Sequence, residues 1–357
     1  MRYREDWIEA RERLTKWWNG GDIGRPAMAV HVPRETPLEE VPEIPPPQGT
    51  LARNYTTKSL EYRVNYALRY CLQTEYLGEA DPSVSSGDLA PNCLALYLGC
   101  RGTETVDTVW CEPFIDSPGE ERLAYDPDNF YWRFSRRAIE IVKAKAEGKF
   151  LQSFPDLIEG MDTLAAMRGT ERLLSDLLER PDWVRAALRK ITDLYFRYYD
   201  ILYDLIRDEV GGSAFWTWAP GRLSKLQCDF SAMISPAMFA EFMIPVLEEM
   251  TERVSYSIYH WDGPGATIHH DQLLSLTNLD MIQWQPGAGV EPQTHRRWWP
   301  LYHKTLDAGK KLMIGAGSED DLLALRREFG ERCKQMHLSC WAKTRAGADR
   351  LLKVMAF

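Results

Sequence analysis

From about residue 150 the chain alternates between two patterns. Short apolar runs bounded by turn formers are followed by longer segments whose apolar residues recur every three or four positions. "KFLQSFPD" predicts a strand ending at Pro155-Asp156. "GTERLLSDLL" and the segment 181–210 predict helices; in the second, Val184, Leu188, Ile191, Leu194, Tyr198, Ile201 and Leu205 keep helical spacing, and Pro181 suits the first turn. "SAFWTWAP" reads as a strand. "SPAMFAEFMIPVLEEMTERV" reads as a helix capped by Ser235 and kinked at Pro245. Strands are then expected at "SYSIYHWDG", "LDMIQW", "KKLMIG" and "KQMHLSC". Helices are expected at "HHDQLLSL", at "RRWWPLYHKTLDAG" stopped by Gly309, at "SEDDLLALRREFG" between Ser318 and Gly330, and from Thr344 onward.

Strand followed by helix, five times or more, predicts a parallel sheet covered by helices. No GxGxxG follows the first strand and no P-loop occurs, which weakens a nucleotide-binding doubly wound sheet. The expected fold is therefore α/β, a (β/α)8 TIM-like barrel formed as a single domain over 1–357. Residues 1–120 are expected to be an irregular N-terminal elaboration, with the Pro-rich loop "EVPEIPPPQG" and the turn-rich "GEADPSVSSGDLAPN" inside it. Residues 129–145 look helical.

A length of 357 residues suits one large barrel or two ordinary domains. The net charge of -9, with no basic stripe, argues against a nucleic-acid partner. No run approaches the roughly 18 apolar residues of a membrane span. The N-terminus "MRYREDWIEARERLTKWW" is charged and amphipathic, without a signal-peptide core, so a cytoplasmic protein is expected. Seven cysteines without paired spacing read as reduced thiols. Thirteen tryptophans serve either core packing or a roomy pocket for a bulky ligand.

In such a barrel the active site lies at the C-terminal ends of the strands. Asp156, Trp218, His260 with Asp262, Trp284 with Gln285, the Gly315/Gly317 turn and Cys340 all fall there. His260 and Asp262 are two apart, so an extended backbone points both the same way. A histidine nitrogen, an aspartate oxygen and the Cys340 thiolate would suit zinc with one position open to substrate. Alternatively, Asp262 or Asp229 does acid–base work, or His260 is a hydrogen-bonded core histidine and Cys340 a small buried hydrophobe. Asp156, with Glu159 and Asp162 close behind, either caps the next helix or binds a cationic ligand. Asp229 is a turn residue or a second pocket carboxylate. His269 and His270 read as a helix cap or surface face.

"LQCDFSAMISPAMFAEFMIPVLEEM", "YHWDGPGA", "LDMIQWQPGAG", "KKLMIGAG" and "MHLSCWAKT" together resemble the uroporphyrinogen decarboxylase superfamily. The resemblance covers residues 150–357 well and the N-terminal part loosely. It implies a TIM-like barrel with its site at the C-terminal face. In the methyltransferase branch, zinc is held by His-x-Cys after one strand and a Cys after the last. His260 and Cys340 match the outer ligands, while Asp262 replaces the middle Cys and would leave the metal a stronger Lewis acid. The decarboxylase branch binds substrate carboxylates with an Arg-rich N-terminal signature, of which only Arg25 and Arg34 have counterparts. Its essential aspartate would be Asp81 or Asp88. The acidic, tryptophan-rich mouth suits a cationic or neutral substrate.

The resemblance thus implies a methyltransferase that moves a methyl group between a small substrate and a corrinoid on a partner protein. Its Zn²⁺ would be held by His260, Asp262 and Cys340. Asp156, Asp229 and Asp262 are the candidate catalytic residues, and Trp218, Trp284, Gln285 and Asp162 would contact substrate. The alternatives are a decarboxylase acting on a tetrapyrrole or smaller heterocycle, and a non-catalytic tetrapyrrole- or corrinoid-binding protein. Neither nucleic acid nor membrane is an expected partner, and a homodimer is compatible with the sequence.

Overall fold

The computed structural model describes residues 1–357. Thirteen strands form: β1 (Ala27–Pro33), β2 (Thr74–Gly78), β3 (Ser83–Val84), β4 (Arg101–Glu104), β5 (Val109–Glu112), β6 (Leu151–Gln152), β7 (Ser213–Phe215), β8 (Thr217–Ala219), β9 (Leu223–Gln227), β10 (Tyr256–Asp262), β11 (Met281–Gln285), β12 (Lys311–Gly315) and β13 (Met336–Trp341). Seven of them make the central sheet, in the order β2-β1-β13-β12-β11-β10-β9. Every pairing in it is parallel except β1 with β2. Helices occupy the crossovers between β9 and β13, because parallel neighbours need a long connection that can cover the sheet face.

The first strand and the last are neighbours, with Ala27 opposite His337 and Val30 opposite Cys340. The segment expected to be irregular therefore supplies an interior strand of the sheet. "AMAVHVP" satisfies a β ladder on both sides, although prolines and charged residues surround it in sequence. Helices also form there, at Trp7–Trp18, Leu60–Leu72 and Cys93–Tyr97.

"SAFWTWAP" departs from expectation as well. It is not one sheet strand but a tight antiparallel pair, β7 with β8, hinged at Trp216. Trp216 has φ of 61°, left-handed backbone that a bulky side chain rarely adopts. The sheet strand in this region is β9, "LSKLQ", whose serine, lysine and glutamine hide it from an apolar-run reading. At Pro245 the expected irregularity is present. A π-helical turn over Phe239–Met243 precedes the Ile244–Glu252 helix, which absorbs the donor that proline lacks.

Strand alternation sorts the two faces of the sheet. On β10, His260 and Asp262 face one way, while Trp261 faces the other and stacks on His270 at 4.4 Å. On β11, Gln283 and Gln285 share the His260 face, and Trp284 packs behind against Trp261 and Trp298. On β13, His337, Ser339 and Trp341 take the first face, with Leu338 and Cys340 in the apolar layer behind.

The helix Trp7–Trp18 covers the N-terminal ends of the strands. Trp18 packs on Tyr256 at the start of β10, and Lys311 at the start of β12 sits 5.4 Å from the Trp17 ring and 5.8 Å from that of Trp18. Both indoles are anchored: Trp17 Nε1 donates to the Lys334 carbonyl at 2.8 Å and Trp18 Nε1 to the Trp218 carbonyl at 2.9 Å. At the opposite, C-terminal ends lies a cavity of about 690 Å³. No helix is long and apolar enough to cross a membrane.

Candidate metal centre

β9 and β10 are in register with Gln227 opposite His260, so two residues further on each chain Asp229 meets Asp262. One ligand atom from each of Asp229, His260 and Asp262 can be chosen so that all three lie within 4.8 Å of one another. The His260 Nε2 to Asp262 Oδ2 distance is 3.9 Å. Two carboxylates and an imidazole, delivered by neighbouring strand ends, thus converge on one point, and of the three His260 lines the cavity.

The imidazole is oriented from behind. Gln283 Nε2 donates to the Trp284 carbonyl at 3.2 Å, which turns its Oε1 toward His260 Nδ1. Nδ1 must then carry the proton and donate to Gln283. Nε2 is left as the free lone pair, facing the two aspartates. A hydrogen-bonded second nitrogen is the arrangement that metal-binding histidines use. Burial and the nearby Lys225 ammonium hold the His260 pKa below its ordinary value, so the ring is neutral.

The carboxylates are held as firmly. Asp162 sits in the first turn of the Gly160–Arg168 helix and accepts the backbone N–H groups of Asp229 at 2.8 Å and Phe230 at 2.9 Å. Gln227 spans the site. Its Oε1 accepts from Lys225 Nζ at 2.6 Å, and its Nε2 donates to Asp162 and Asp229 at 3.2 Å each. Asp229 reaches the surface. Yet the protein around it, and then the carboxylates of Asp162 and Asp262, push its pKa up to about 7. A divalent cation relieves that crowding of negative charge, which supports the fit of this donor set to a metal. One neutral nitrogen and two hard oxygens, with no thiolate, suit Zn²⁺ and also harder divalent ions, and three protein ligands leave positions open.

Several residues expected in the site lie elsewhere. Cys340 alternates onto the apolar face of β13, and burial pushes its thiol up to about 12, so it is neither in the cluster nor a thiolate. Trp284 is on the corresponding face of β11. Trp218 is packed against Trp7 and tied to Asp208 through its indole N–H. Asp162 positions the Asp229 loop and does not line the cavity. Asp156 is ion-paired to buried Lys225, so a cation from the chain itself fills the role expected of a ligand. Gln285 does line the cavity, where its Oε1 accepts from Gln293 Nε2 at 2.7 Å.

The cavity wall also contains Trp216, one of the tryptophans that the sequence offers to a roomy pocket, and residues not singled out from sequence: Arg63, Gln283, and the histidines His31 and His337. Asp81 and Asp88 line it too. Asp88 Oδ1 accepts the backbone N–H of Asp156, while burial, and then the Asp156 charge, push its carboxyl up to about 7. His269 and His270 are buried, not on the surface, each with a ring nitrogen hydrogen-bonded: His269 Nε2 to the Ser231 carbonyl, and His270 Nε2 to Thr305 Oγ1. No protein-family model matches the chain, and no curated protein gives a significant match.

Proposed function

We propose that this protein is a metal-dependent enzyme of the uroporphyrinogen decarboxylase superfamily, moving a methyl group between a small substrate and a corrinoid carried by a partner protein. The observation that carries the metal part is the convergence of Asp229, His260 and Asp262, with Nε2 of His260 freed by Gln283. The motifs named above support the family and the corrinoid. The same reading takes the sheet and the parallel β3–β6 pair as walls of one (β/α)8-type barrel. In its favour, the cavity draws lining residues from β1, β3 and β10 to β13.

In this reading Asp229 replaces Cys340 in the ligand set. A bound divalent ion supplies Lewis-acid polarisation of the substrate heteroatom. The chain does the rest. Gln283 keeps the imidazole aimed, Asp162 and Gln227 hold the second carboxylate, and the cavity walls exclude water from the bound substrate. The test is to add cob(I)alamin and a panel of O- and N-methylated small molecules to zinc-supplemented protein, following methylcobalamin formation by visible absorbance. Zinc-dependent methylation that is lost in His260→Ala is expected. No methylation with any member of the panel would count against the reading.

One observation favours a second reading, a decarboxylase. Asp88 lines the cavity with a carboxyl that holds its proton near neutral pH, as an acid acting on a substrate carbanion must. Metal-independent CO₂ release, abolished by Asp88→Asn, would decide for it.

A further inference from the structure

Gln285 ends β11 opposite Asp262, two residues beyond the Gln283 that orients His260, and it lines the cavity. The direction of its amide is fixed by a relay that starts at a backbone N–H. Gly315 N–H can only donate, so the atom of Gln293 that it meets is Oε1. The other half of that amide, Nε2, donates to Gln285 Oε1 at 2.7 Å. Gln285 Nε2 is left over: it has no hydrogen-bond partner in the protein, and it is not among the polar atoms sealed from solvent. Gln293 is itself held. Its carbonyl accepts from Tyr302 Oη at 2.5 Å, and Gly315 leaves room for its amide, since a Cβ at that position would meet Oε1 at 3.1 Å.

We infer that Gln285 Nε2 binds an acceptor oxygen of the substrate, and that this substrate is uncharged. The inference rests on the reading of this cavity as the substrate chamber, and it narrows the expected cationic or neutral ligand to a neutral one. An ammonium has no lone pair to offer an N–H donor. An anion finds no cation to meet it. Arg63, the one lysine or arginine among the lining residues, spends Nη2 on the Asp88 and Ser86 carbonyls, and its Nε and Nη1 have no accessible surface. Lys225 does not line the cavity and is paired with Asp156. The body of the ligand faces aromatic surface. Trp216 lines the cavity, packs edge-on against His260 at 5.4 Å and remains 45 % exposed, which gives a flat apolar group a wall beside the histidine.

The probe is acetophenone, a flat neutral molecule whose one polar atom is an acceptor oxygen. Aniline, benzoate and benzylammonium are its donor-bearing, anionic and cationic counterparts, each titrated calorimetrically at neutral pH into chelator-treated protein. Wild type is expected to bind acetophenone at least about tenfold more tightly than any of the three. Gln285→Glu keeps the shape of the side chain but turns its donor into an acceptor, and should lose roughly tenfold or more of the acetophenone affinity. Gln293→Glu leaves Gln285 in place but faces it with an acceptor. The Gln285 amide must then turn over and show Oε1 to the cavity, so the preference should reverse in favour of aniline, a change that a merely structural role for Gln293 would not produce. Absence of acetophenone binding by wild type, equal affinity for any of the three counterparts, unchanged affinity in a folded Gln285→Glu, or an unchanged preference in a folded Gln293→Glu overturns the inference. Each of these outcomes leaves the metal reading intact, because the titrations contain no metal. Gln285-dependent binding by a protein that takes up no zinc would sink the metal reading alone.

Discussion

Gln283 decides which nitrogen of His260 meets the aspartates. Removing an outer hydrogen bond of this type weakens metal binding about 10- to 100-fold. Gln283→Leu is therefore expected to lose zinc affinity on that scale while keeping all three ligands, as read by competition with a chromophoric chelator. Asp88 makes a prediction of another sign. Its folded pKa, about 7, lies above the ordinary carboxylate value, so the native state keeps a proton that the unfolded chain gives up. Its contribution is present in acid and is lost as pH rises from about 4 to about 7. Asp88→Asn should thus gain stability relative to wild type between pH 5 and pH 8 in thermal melts, and a constant difference would contradict the assignment. At this scale His260 and Asp262 were legible from strand-end position, whereas Asp229 read only as a turn residue or a pocket carboxylate, because the strand before it, β9, was not recognised. The Cys340 expectation failed although the signal was there: in "HLSC", His337 and Ser339 alternate with Leu338 and Cys340, which sets the thiol among the apolar side chains. Arg63 and Lys225 were illegible, because nothing local shows that a cation points inward.

Among the elements, the Trp7–Trp18 helix covers the ends of the strands opposite the cavity. Trp17 is almost wholly buried there, so Trp17→Ala is expected to cost about 3–5 kcal/mol in urea unfolding. Trp110→Ala, on the exposed hairpin β4–β5, should stay within about 0.5 kcal/mol. Apolar periodicity revealed β10 to β13 and their helices, since those strands bury at least one face in a continuous apolar layer. It failed at β9, where the inward side chains Lys225 and Gln227 are polar because they serve the site. It failed at β1, an interior strand flanked by prolines. It also misread "SAFWTWAP", whose aromatic run breaks at Trp216. The misses share a cause: strand patterning reports apolar burial, and cavity-facing strands bury polar groups that satisfy one another.

For the whole molecule, the sheet aligns strand ends from distant parts of the sequence, so that His260 on β10, which meets Asp229 just after β9, shares a cavity with Arg63 from the N-terminal third. An excess of acidic residues overall did not forecast the cavity, whose one guanidinium is unpaired. The central claim is that a metal is held by Asp229, His260 and Asp262 without help from any thiol. Elemental analysis of zinc-dialysed wild type beside His260→Ala and Cys340→Ala tests it most directly, with far-UV circular dichroism confirming that each variant is folded. The account predicts close to one zinc per chain in wild type and in Cys340→Ala, and none in His260→Ala. Zinc missing from wild type, or lost from Cys340→Ala, would contradict it.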